Sequence, residues 1–242
     1  MPIPNADFDP TEAAVPWKML SSAGIEVVVA TPDGKAAAAD PIVLSGKGLG
    51  PLGFLLRADR NGRTVYGEFE HAMCSSPAAY ADVDARHFDA LVLPGGHAPK
   101  MRSYLESAAL HSCIADFFAS NKVVAAICHG VVAAARSKRE DGNSVLFGRR
   151  TTALTEDMEL FAWRATKRKL GDYYRTYPQT VQSEVTEALG EDGSFLTGPK
   201  PFLRDRPNKL TRGFVVQDGN YISARYPGDA HRFSQAVVDA LG

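Results

Sequence analysis

The stretch that decides the fold is residues 123–135, VVAAICHGVVAAA, in which an apolar, β-branched run gives way to small residues typical of a helix. This order predicts a buried strand that turns directly into a helix. Cys128 lies at the junction and is followed by His129 and by Gly130, whose lack of a side chain permits a sharp turn. The junction is therefore the predicted seat of the chemistry.

Two interpretations of Cys128 follow from its position. A thiol over the first turn of a helix meets unpaired N–H groups and the positive end of the helix dipole, which favour the thiolate. The neighbouring His129 supplies an imidazole suited to proton transfer near neutral pH. In the first interpretation Cys128 is a nucleophile. In the second it is a packing residue, because free cysteines are commonly buried in protein cores.

Further strands and helices alternate on both sides of this junction. Apolar runs typical of strands cover residues 25–30, 90–93, 123–127, 214–216 and 221–224. Helical patterns cover residues 11–22, 129–136, 157–170, 180–189 and 230–241, and Leu110, Ile114, Phe117 and Phe118 recur at helical spacing. Continuous apolar strands alternating with helices predict an α/β fold, a three-layer α/β/α sandwich around a mostly parallel sheet.

A second loop is expected at the same edge of the sheet as Cys128. The reactive crevice of such a fold lies beyond the carboxyl ends of its strands. Residues 93–100, LPGGHAPK, leave a strand there, and paired glycines free backbone N–H groups to face a developing oxyanion. The alternative is a plain strand-to-helix turn. Residues 48–53, GLGPLG, match the glycine-rich dinucleotide pattern, but no predicted strand leads into them, so no dinucleotide is implied. No P-loop occurs in the sequence, so no nucleoside triphosphate is implied.

Composition and charge argue against a nucleic-acid-binding or lipid-binding protein. Of the 242 residues, 45% are hydrophobic and 23% are charged, and the net charge of -1 offers no general attraction to nucleic acid or anionic lipid. A small-molecule or protein substrate is therefore expected. The three cysteines, Cys74, Cys113 and Cys128, lack CxxC spacing, which argues against a disulfide framework and against a metal site. Their number and spacing fit a reducing compartment.

No targeting segment is expected from the sequence. The first ten residues, MPIPNADFDP, have neither the basic nor the apolar region of a secretory signal. Residues 123–135 form the longest uncharged apolar run, which is shorter than a membrane-spanning helix requires. These observations predict a cytoplasmic protein that does not interact with membranes.

Four blocks of sequence, in order and spanning nearly the whole chain, resemble the ThiJ/PfpI family. They are DFDPTEAAVPWKMLSSAGIEVVVATPDG (7–34), ALVLPGGHAPKMRSYLES (90–107), VVAAICHG (123–130) and YISARYPGDAHRFSQAVVDAL (221–241). The CHG triplet and the GGH loop are most similar to the heat-shock chaperone and glyoxalase III branch. The resemblance implies one domain over residues 1–242 with the flavodoxin-like, class I glutamine amidotransferase-like fold. It also implies a homodimer and no cofactor.

The resemblance assigns roles to individual residues. Cys128 matches the family nucleophile, and His129 matches the adjacent histidine of the chaperone branch. Gly96 matches the glycine whose N–H forms the oxyanion hole, to which the N–H of His129 also contributes. Glu12 matches the glutamate that approaches the sulfur from the first helix, where a carboxyl can donate a hydrogen bond or accept a proton.

Each acidic candidate has an ordinary structural alternative. Glu12 also occupies the third position of a helix start that Asp9 would cap. The resemblance places Glu156 where an acid orients the imidazole, with Asp157 and Glu159 as near alternatives. An acidic cluster of this kind also favours a helix start through the helix dipole.

Three other features have open roles. His97 borders the glycine loop and either lines the pocket or is a solvated loop residue. His231 follows Asp229, the expected cap of the last helix, and a surface position is expected for it. Residues 157–212 form an extra helical segment relative to the family pattern, which would be a lid, a dimer surface or a helical cap.

The resemblance favours a glutathione-independent glyoxalase. The Cys128 thiolate would add to the aldehyde of methylglyoxal, and lactate would be released without glutathione or a metal. Two alternatives remain at this stage. One is a cysteine peptidase or amidase that acts on a peptide or amide. The other is a non-enzymatic holdase chaperone or thiol redox sensor with a role in stress responses.

Overall fold

The structure is a computed structural model that describes residues 1–49, 53–74, 76–200 and 203–242. In chain order its strands are β1 (Ala6–Phe8), β2 (Ala30–Thr31), β3 (Ala38–Ala39), β4 (Ala78–Ala79), β5 (Ala90–Leu93), β6 (Val123–Ile127), β7 (Arg150–Thr151), β8 (Ser194–Phe195), β9 (Val215–Asp218) and β10 (Tyr221–Ala224).

The helices include the six predicted from the sequence and four that were not predicted. They are α1 (Pro10–Ser22), α2 (Pro41–Ser45), α3 (Gly53–Leu56), α4 (Arg60–Met73), α5 (Arg102–Leu105), α6 (Ala108–Ala119), α7 (Gly130–Arg136), α8 (Glu156–Leu170), α9 (Val181–Leu189) and α10 (Ala230–Leu241).

The central sheet has the strand order β5-β6-β10-β9. The first three strands are parallel, and β9 runs antiparallel to β10. Helix α10 packs on one face of this sheet and is itself packed against α1, and α6 and α7 cover the other face. Strand β6 lies inside the sheet with both faces covered, which explains why its sequence is apolar without alternation. The predicted α/β/α layering with mostly parallel strands is confirmed.

Shorter pairs of parallel strands lie outside the central sheet. They are β1 with β3, β2 with β4 and β7 with β8. The predicted strand at 25–30 is wrong in extent, because regular strand pairing begins only at Ala30. The N–H of Ala30 donates to the carbonyl of Met1 and its carbonyl accepts from Ile3.

The topology brings three chain segments to one edge of the sheet. Strands β5 and β6 are in register with Leu93 opposite Ala126, so the loop after β5 and the turn after β6 leave the sheet side by side. The start of α1 joins them because the N–H of Asp9 donates to the carbonyl of Gly95 at 2.8 Å. Asp9 caps α1 by accepting from the N–H groups of Thr11 and Glu12, as the sequence predicts.

Among the described residues, no helix is long and apolar enough to cross a membrane.

Candidate active site

Cys128 occupies the sharp turn between β6 and α7. Its φ of +57° lies in the left-handed region, which is rare for a residue with a side chain. The N–H of Cys128 is anchored on the carbonyl of Ala224 at 3.1 Å, which continues the pairing of β6 with β10. Gly130 is required two residues later, because a Cβ there would collide with the carbonyl of Leu93. The turn thus holds the Cys128 side chain in one place.

The sulfur of Cys128 faces the imidazole of His129. Its Sγ atom lies 3.6 Å from Nδ1 of His129. On the other side of the ring, Nε2 lies 3.3 Å from Oγ1 of Thr176. That hydroxyl donates its own proton to the carbonyl of His97 at 2.7 Å, so it accepts from Nε2–H. The hydrogen bonds therefore leave the lone pair of the neutral ring on Nδ1, directed toward the thiol.

Thr176 is the residue that sequence reasoning missed. It lies 47 positions after His129, between α8 and α9, and no local motif marks it. The guanidinium of Arg102 holds the carbonyl of Thr176 through bonds from Nε at 3.1 Å and Nη2 at 2.6 Å. Thr176 is therefore tied to α5 as well as to the imidazole.

Glu12 approaches the sulfur from α1, as the resemblance implies. Its side chain is fully buried, and Oε2 accepts the N–H of Gly95 at 2.9 Å. The carboxyl also interacts with the Cys128 thiol, and Oε1 has no further partner among the described residues. Burial, with the neighbouring Asp9 carboxyl adding to it, raises the pKa of Glu12 well above its usual range. This shift favours the protonated form of Glu12, a carboxylic acid that can donate a hydrogen bond.

The surroundings of Cys128 in the free site oppose the expected thiolate. Cys128 has no solvent-exposed surface, and burial raises the pKa of its thiol well above the usual range, with the Glu12 and Asp9 carboxyls adding to the effect. The N–H of His129 points at the sulfur and opposes this shift, but burial outweighs it. Burial also lowers the pKa of His129 well below its usual range. The thiol and the imidazole are thus both neutral.

Glu156 does not orient the imidazole. It lies exposed at the start of α8, where its N–H donates to Gln182 and its carboxyl accepts from Thr180 at 3.2 Å. Asp157 is exposed in the same turn, and Glu159 is bound to Arg175 at 3.3 Å. These acids support the alternative, a helix start favoured by the dipole. The position that the resemblance gave to Glu156 is taken by Thr176.

The two glycines of the loop after β5 have different neighbours. A Cβ on Gly95 would lie 2.6 Å from the amide nitrogen of His129 and 2.9 Å from Oε2 of Glu12. A Cβ on Gly96 would instead lie 2.8 Å from the carbonyl of Asp7. Gly95 is thus the glycine packed against the Cys128 turn. The oxyanion role that the resemblance gave to Gly96 stays a prediction.

His97 separates the sulfur from an apolar cleft. Its ring packs edge-on against His129, with centroids 5.0 Å apart, and at 90° to Tyr174. Burial lowers its pKa to about 4. The cleft has a volume of about 340 Å³, in the range of small-molecule sites. Its lining is mostly apolar and includes Leu154, Met158, Phe161, Ala162, Tyr226 and Pro227, with Asp9, His97 and Arg204 as polar groups.

The structure also brings together a group of metal-ligand atoms. Those of His97, Cys128 and His129 all lie within 4.8 Å of one another. The sequence predicted no metal site because these residues lack the spacing of a linear motif. Their proximity arises from the two adjacent strand ends.

His231 is not a surface residue. It is 5% exposed, and its Nδ1 lies 2.9 Å from Oδ1 of the buried Asp205. Asp229 begins α10, but its carboxylate binds Arg225 through bonds of 2.8 and 3.0 Å in place of a side-chain cap. Among the described residues, neither pair forms a side-chain hydrogen bond with Cys128, His129 or Glu12.

The fold and the site define a three-layer α/β protein with a buried cysteine–histidine pair on a strained strand-to-helix turn. Residues 3–188 match the family described as ThiJ/PfpI family-like, and the chain belongs to that family. Protein DJ-1 homolog D of Arabidopsis thaliana is 30% identical over 59% of this chain, which spans only 31% of that protein.

Two other relatives are matched over more of their length. A deglycase of Thermococcus kodakarensis is 28% identical over 67% of this chain and 68% of its own. A glutathione-independent glyoxalase of Schizosaccharomyces pombe is 26% identical over 78% of this chain and 80% of its own. The crystal structure of glyoxalase III from Candida albicans has a TM-score of 0.64 at 16% identity, covering 99% of this chain and 95% of that one. That likeness concerns the fold.

Proposed function

We propose that the protein is a glutathione-independent glyoxalase that converts a 2-oxoaldehyde and water into a 2-hydroxy acid, with methylglyoxal and lactate as the simplest pair. The observation that carries the proposal is the contact of 3.6 Å between Sγ of Cys128 and the lone pair on Nδ1 of His129. It gives a neutral thiol a base at the moment of attack. The relative named a glutathione-independent glyoxalase supports this activity.

The first step forms a bond between the sulfur and the aldehyde carbon. The thiol proton passes to Nδ1 of His129, and the aldehyde oxygen takes the proton of the neutral Glu12 carboxyl. The product of this step is a hemithioacetal, flanked by an imidazolium and a carboxylate. A buried carboxylate is a stronger base than one in water, because ionisation is disfavoured there.

The second stage moves hydrogen between the two carbons. Glu12 removes the hydrogen of the former aldehyde carbon as a proton, and His129 protonates the neighbouring carbonyl oxygen to give an enediol. Glu12 then returns its proton to the second carbon while His129 takes the proton of the first hydroxyl, which leaves a thioester on Cys128. Each group acts once as acid and once as base.

Water completes the reaction by hydrolysing the thioester. Glu12 accepts a proton from the attacking water, and the imidazolium returns a proton to the leaving sulfur. The free site is restored with a neutral thiol, a neutral imidazole and a neutral Glu12. The sum is one 2-oxoaldehyde and one water in, and one 2-hydroxy acid out. No glutathione is consumed.

The two alternative functions receive less support from the site. In triad hydrolases a buried carboxylate holds the imidazole and stabilises its charged form, whereas here the hydroxyl of Thr176 has that position. This arrangement is weaker for an amidase, whose leaving amine must be protonated. An oxidant sensor needs an exposed thiol of low pKa, and Cys128 is buried with a raised pKa.

The test is lactate formation by the purified full-length chain from methylglyoxal, with glutathione omitted. We expect turnover by the native protein and by Cys113→Ala, since Cys113 is a buried residue of α6. We expect none from Cys128→Ala. The absence of lactate from native protein with a reduced thiol, or equal lactate from Cys128→Ala, would overturn the proposal.

A further inference from the structure

We propose that His97, Cys128 and His129 together bind one thiophilic divalent cation, with Zn²⁺ as the representative ion. The ligand set is one sulfur and two imidazole nitrogens, and the fourth position faces the apolar cleft. The resulting site would be a regulatory one, because the ion occupies the atoms that the proposed reaction uses. Only this regulatory consequence rests on the proposed function; the metal binding itself rests on geometry.

The distance between sulfur and nitrogen fits a shared ion. Zinc bonds of about 2.3 Å to sulfur and about 2.0 Å to nitrogen, at a tetrahedral angle, place the two ligand atoms about 3.5 Å apart. The Sγ atom of Cys128 and Nδ1 of His129 are 3.6 Å apart. The ligand atom of His97 lies within 4.8 Å of both. A small rotation of its ring would therefore place it at a third corner of the coordination tetrahedron.

The surroundings hold the ligands in the orientation that a metal needs. Ligating imidazoles characteristically donate their second ring N–H to a fixed acceptor, which sets the tautomer. Nε2 of His129 has such an acceptor in Thr176, whose hydroxyl is fixed by the carbonyl of His97. Cys128 is fixed by the strand-to-helix turn, because its N–H donates to the carbonyl of Ala224. Two of the three ligands are thus preorganised.

The apolar cleft is the route by which an ion reaches the site, and the open fourth coordination position faces the same cleft. Cys128 and His129 are buried, whereas His97 is partly exposed and lines the cleft. An ion entering through the cleft therefore meets His97 first. Three protein ligands leave a fourth position for water, which is the arrangement of zinc sites that remain open to small molecules.

Binding and reaction exclude one another at this site. Coordination replaces the thiol proton, so one proton is released for each ion bound, and no electron is transferred. The bound ion takes the sulfur lone pair that would attack the aldehyde and the Nδ1 lone pair that would accept the thiol proton. A metal-loaded protein is therefore inactive, and a chelator restores activity.

The test uses Co²⁺ as a spectroscopic substitute for Zn²⁺ on the full-length protein after treatment with a chelator. We expect one equivalent of Co²⁺ to produce a sulfur-to-cobalt charge-transfer band and the intense visible bands of a tetrahedral site, both bleached by Zn²⁺. Cys128→Ser should lose the charge-transfer band. His97→Gln should weaken Co²⁺ binding by at least about tenfold.

Matched controls separate the site from other ligands. Cys113→Ser and His111→Gln remove a buried cysteine and a half-buried histidine elsewhere and should leave the titration unchanged. Far-ultraviolet circular dichroism of each variant shows whether it is folded. A folded native protein that gives no charge-transfer band, or a band that survives in Cys128→Ser, would overturn the proposal.

An activity measurement separates this inference from the proposed function. If lactate forms, Zn²⁺ should stop it and a chelator should restore it in the native protein. If no lactate forms under any condition, the proposed function fails while the Co²⁺ spectrum still decides the metal site. If lactate forms at full rate with the charge-transfer band fully developed, the regulatory consequence is wrong.

Discussion

At the scale of single residues, burial affects the pKa of the Cys128 thiol more than its position before a helix does. The sequence predicted Cys128, His129 and Glu12, and the structure brings all three together. It could not predict the neutral thiol, because the dipole argument considers only the helix, whereas burial depends on the whole fold. Thr176 was missed because its contact with His129 depends on tertiary packing.

Replacement of Thr176 tests its role as the residue that orients the imidazole. Thr176→Val keeps the shape but removes the acceptor of Nε2–H, so the ring can adopt the tautomer without a lone pair on Nδ1. We expect kcat/KM for methylglyoxal to fall by about 10- to 100-fold, a part of what a general base contributes. Thr176→Ser restores the hydroxyl and should restore most of the rate. Native kinetics in Thr176→Val would contradict the assigned tautomer.

At the scale of elements, helices and strands with a strong local sequence pattern were predicted correctly, whereas those with a mixed pattern were not. The β6 strand, its turn and α7 follow from one apolar stretch, and α1 follows from its cap. Helix α4 was not predicted, because two glycines and several charges interrupt its sequence, RNGRTVYGEFEHAM. Its buried residues Tyr66 and Phe69 pack on Phe8, so tertiary contacts stabilise a helix that local propensity disfavours.

Gly67 lowers the stability of α4 by an amount that can be measured. A Cβ at Gly67 would meet nothing within 4 Å, and the residue has helical backbone geometry. Gly67→Ala should therefore raise the free energy of unfolding by about 0.5–1 kcal/mol, by lowering the backbone entropy of the unfolded chain. Denaturant unfolding measures the change. Gly95→Ala is the matched contrast and should destabilise, because its Cβ would lie 2.6 Å from the amide nitrogen of His129. A loss of stability in Gly67→Ala would show that α4 tolerates no extra atom there.

At the scale of the whole molecule, the layers and the strand alternation were predictable because each strand and helix carries its own periodicity. The polar interior was not predictable from the sequence. Asp205 meets His231 across 26 residues, and Arg225 and Asp229 form a buried pair. Such pairs form only when the complete fold removes both partners from water. The homodimer and the role of residues 157–212 stay predictions of the sequence.

Asp40 gives the folded state a measurable dependence on pH. It caps α2 and accepts a bond from the hydroxyl of Tyr173 at 3.1 Å, and burial raises its pKa to about 6 from an ordinary 3.8. Its folded pKa exceeds its unfolded pKa, so protonation favours folding. Its contribution to stability is fully present below the unfolded pKa and is lost as pH rises through about 6.

The comparison of native protein with Asp40→Asn isolates this effect. Asparagine keeps an oxygen for the cap but does not titrate. The free energy of unfolding of the native protein, relative to that of the variant, should rise by about 2 kcal/mol as pH falls from about 7.5 to about 4. Urea unfolding at several pH values measures it. A difference that is constant with pH would show that Asp40 has an ordinary pKa.

The most direct test of the central claim is chemical trapping of the thioester on Cys128. Native protein is mixed with excess methylglyoxal, quenched in acid and separated from free methylglyoxal, which would otherwise consume hydroxylamine as an oxime. Hydroxylamine is then added, and the hydroxamate of lactate is measured by mass spectrometry. We expect this hydroxamate from native protein and none from Cys128→Ser. Lactate formed by both proteins at the same rate, with no hydroxamate from either, would contradict a covalent role for Cys128.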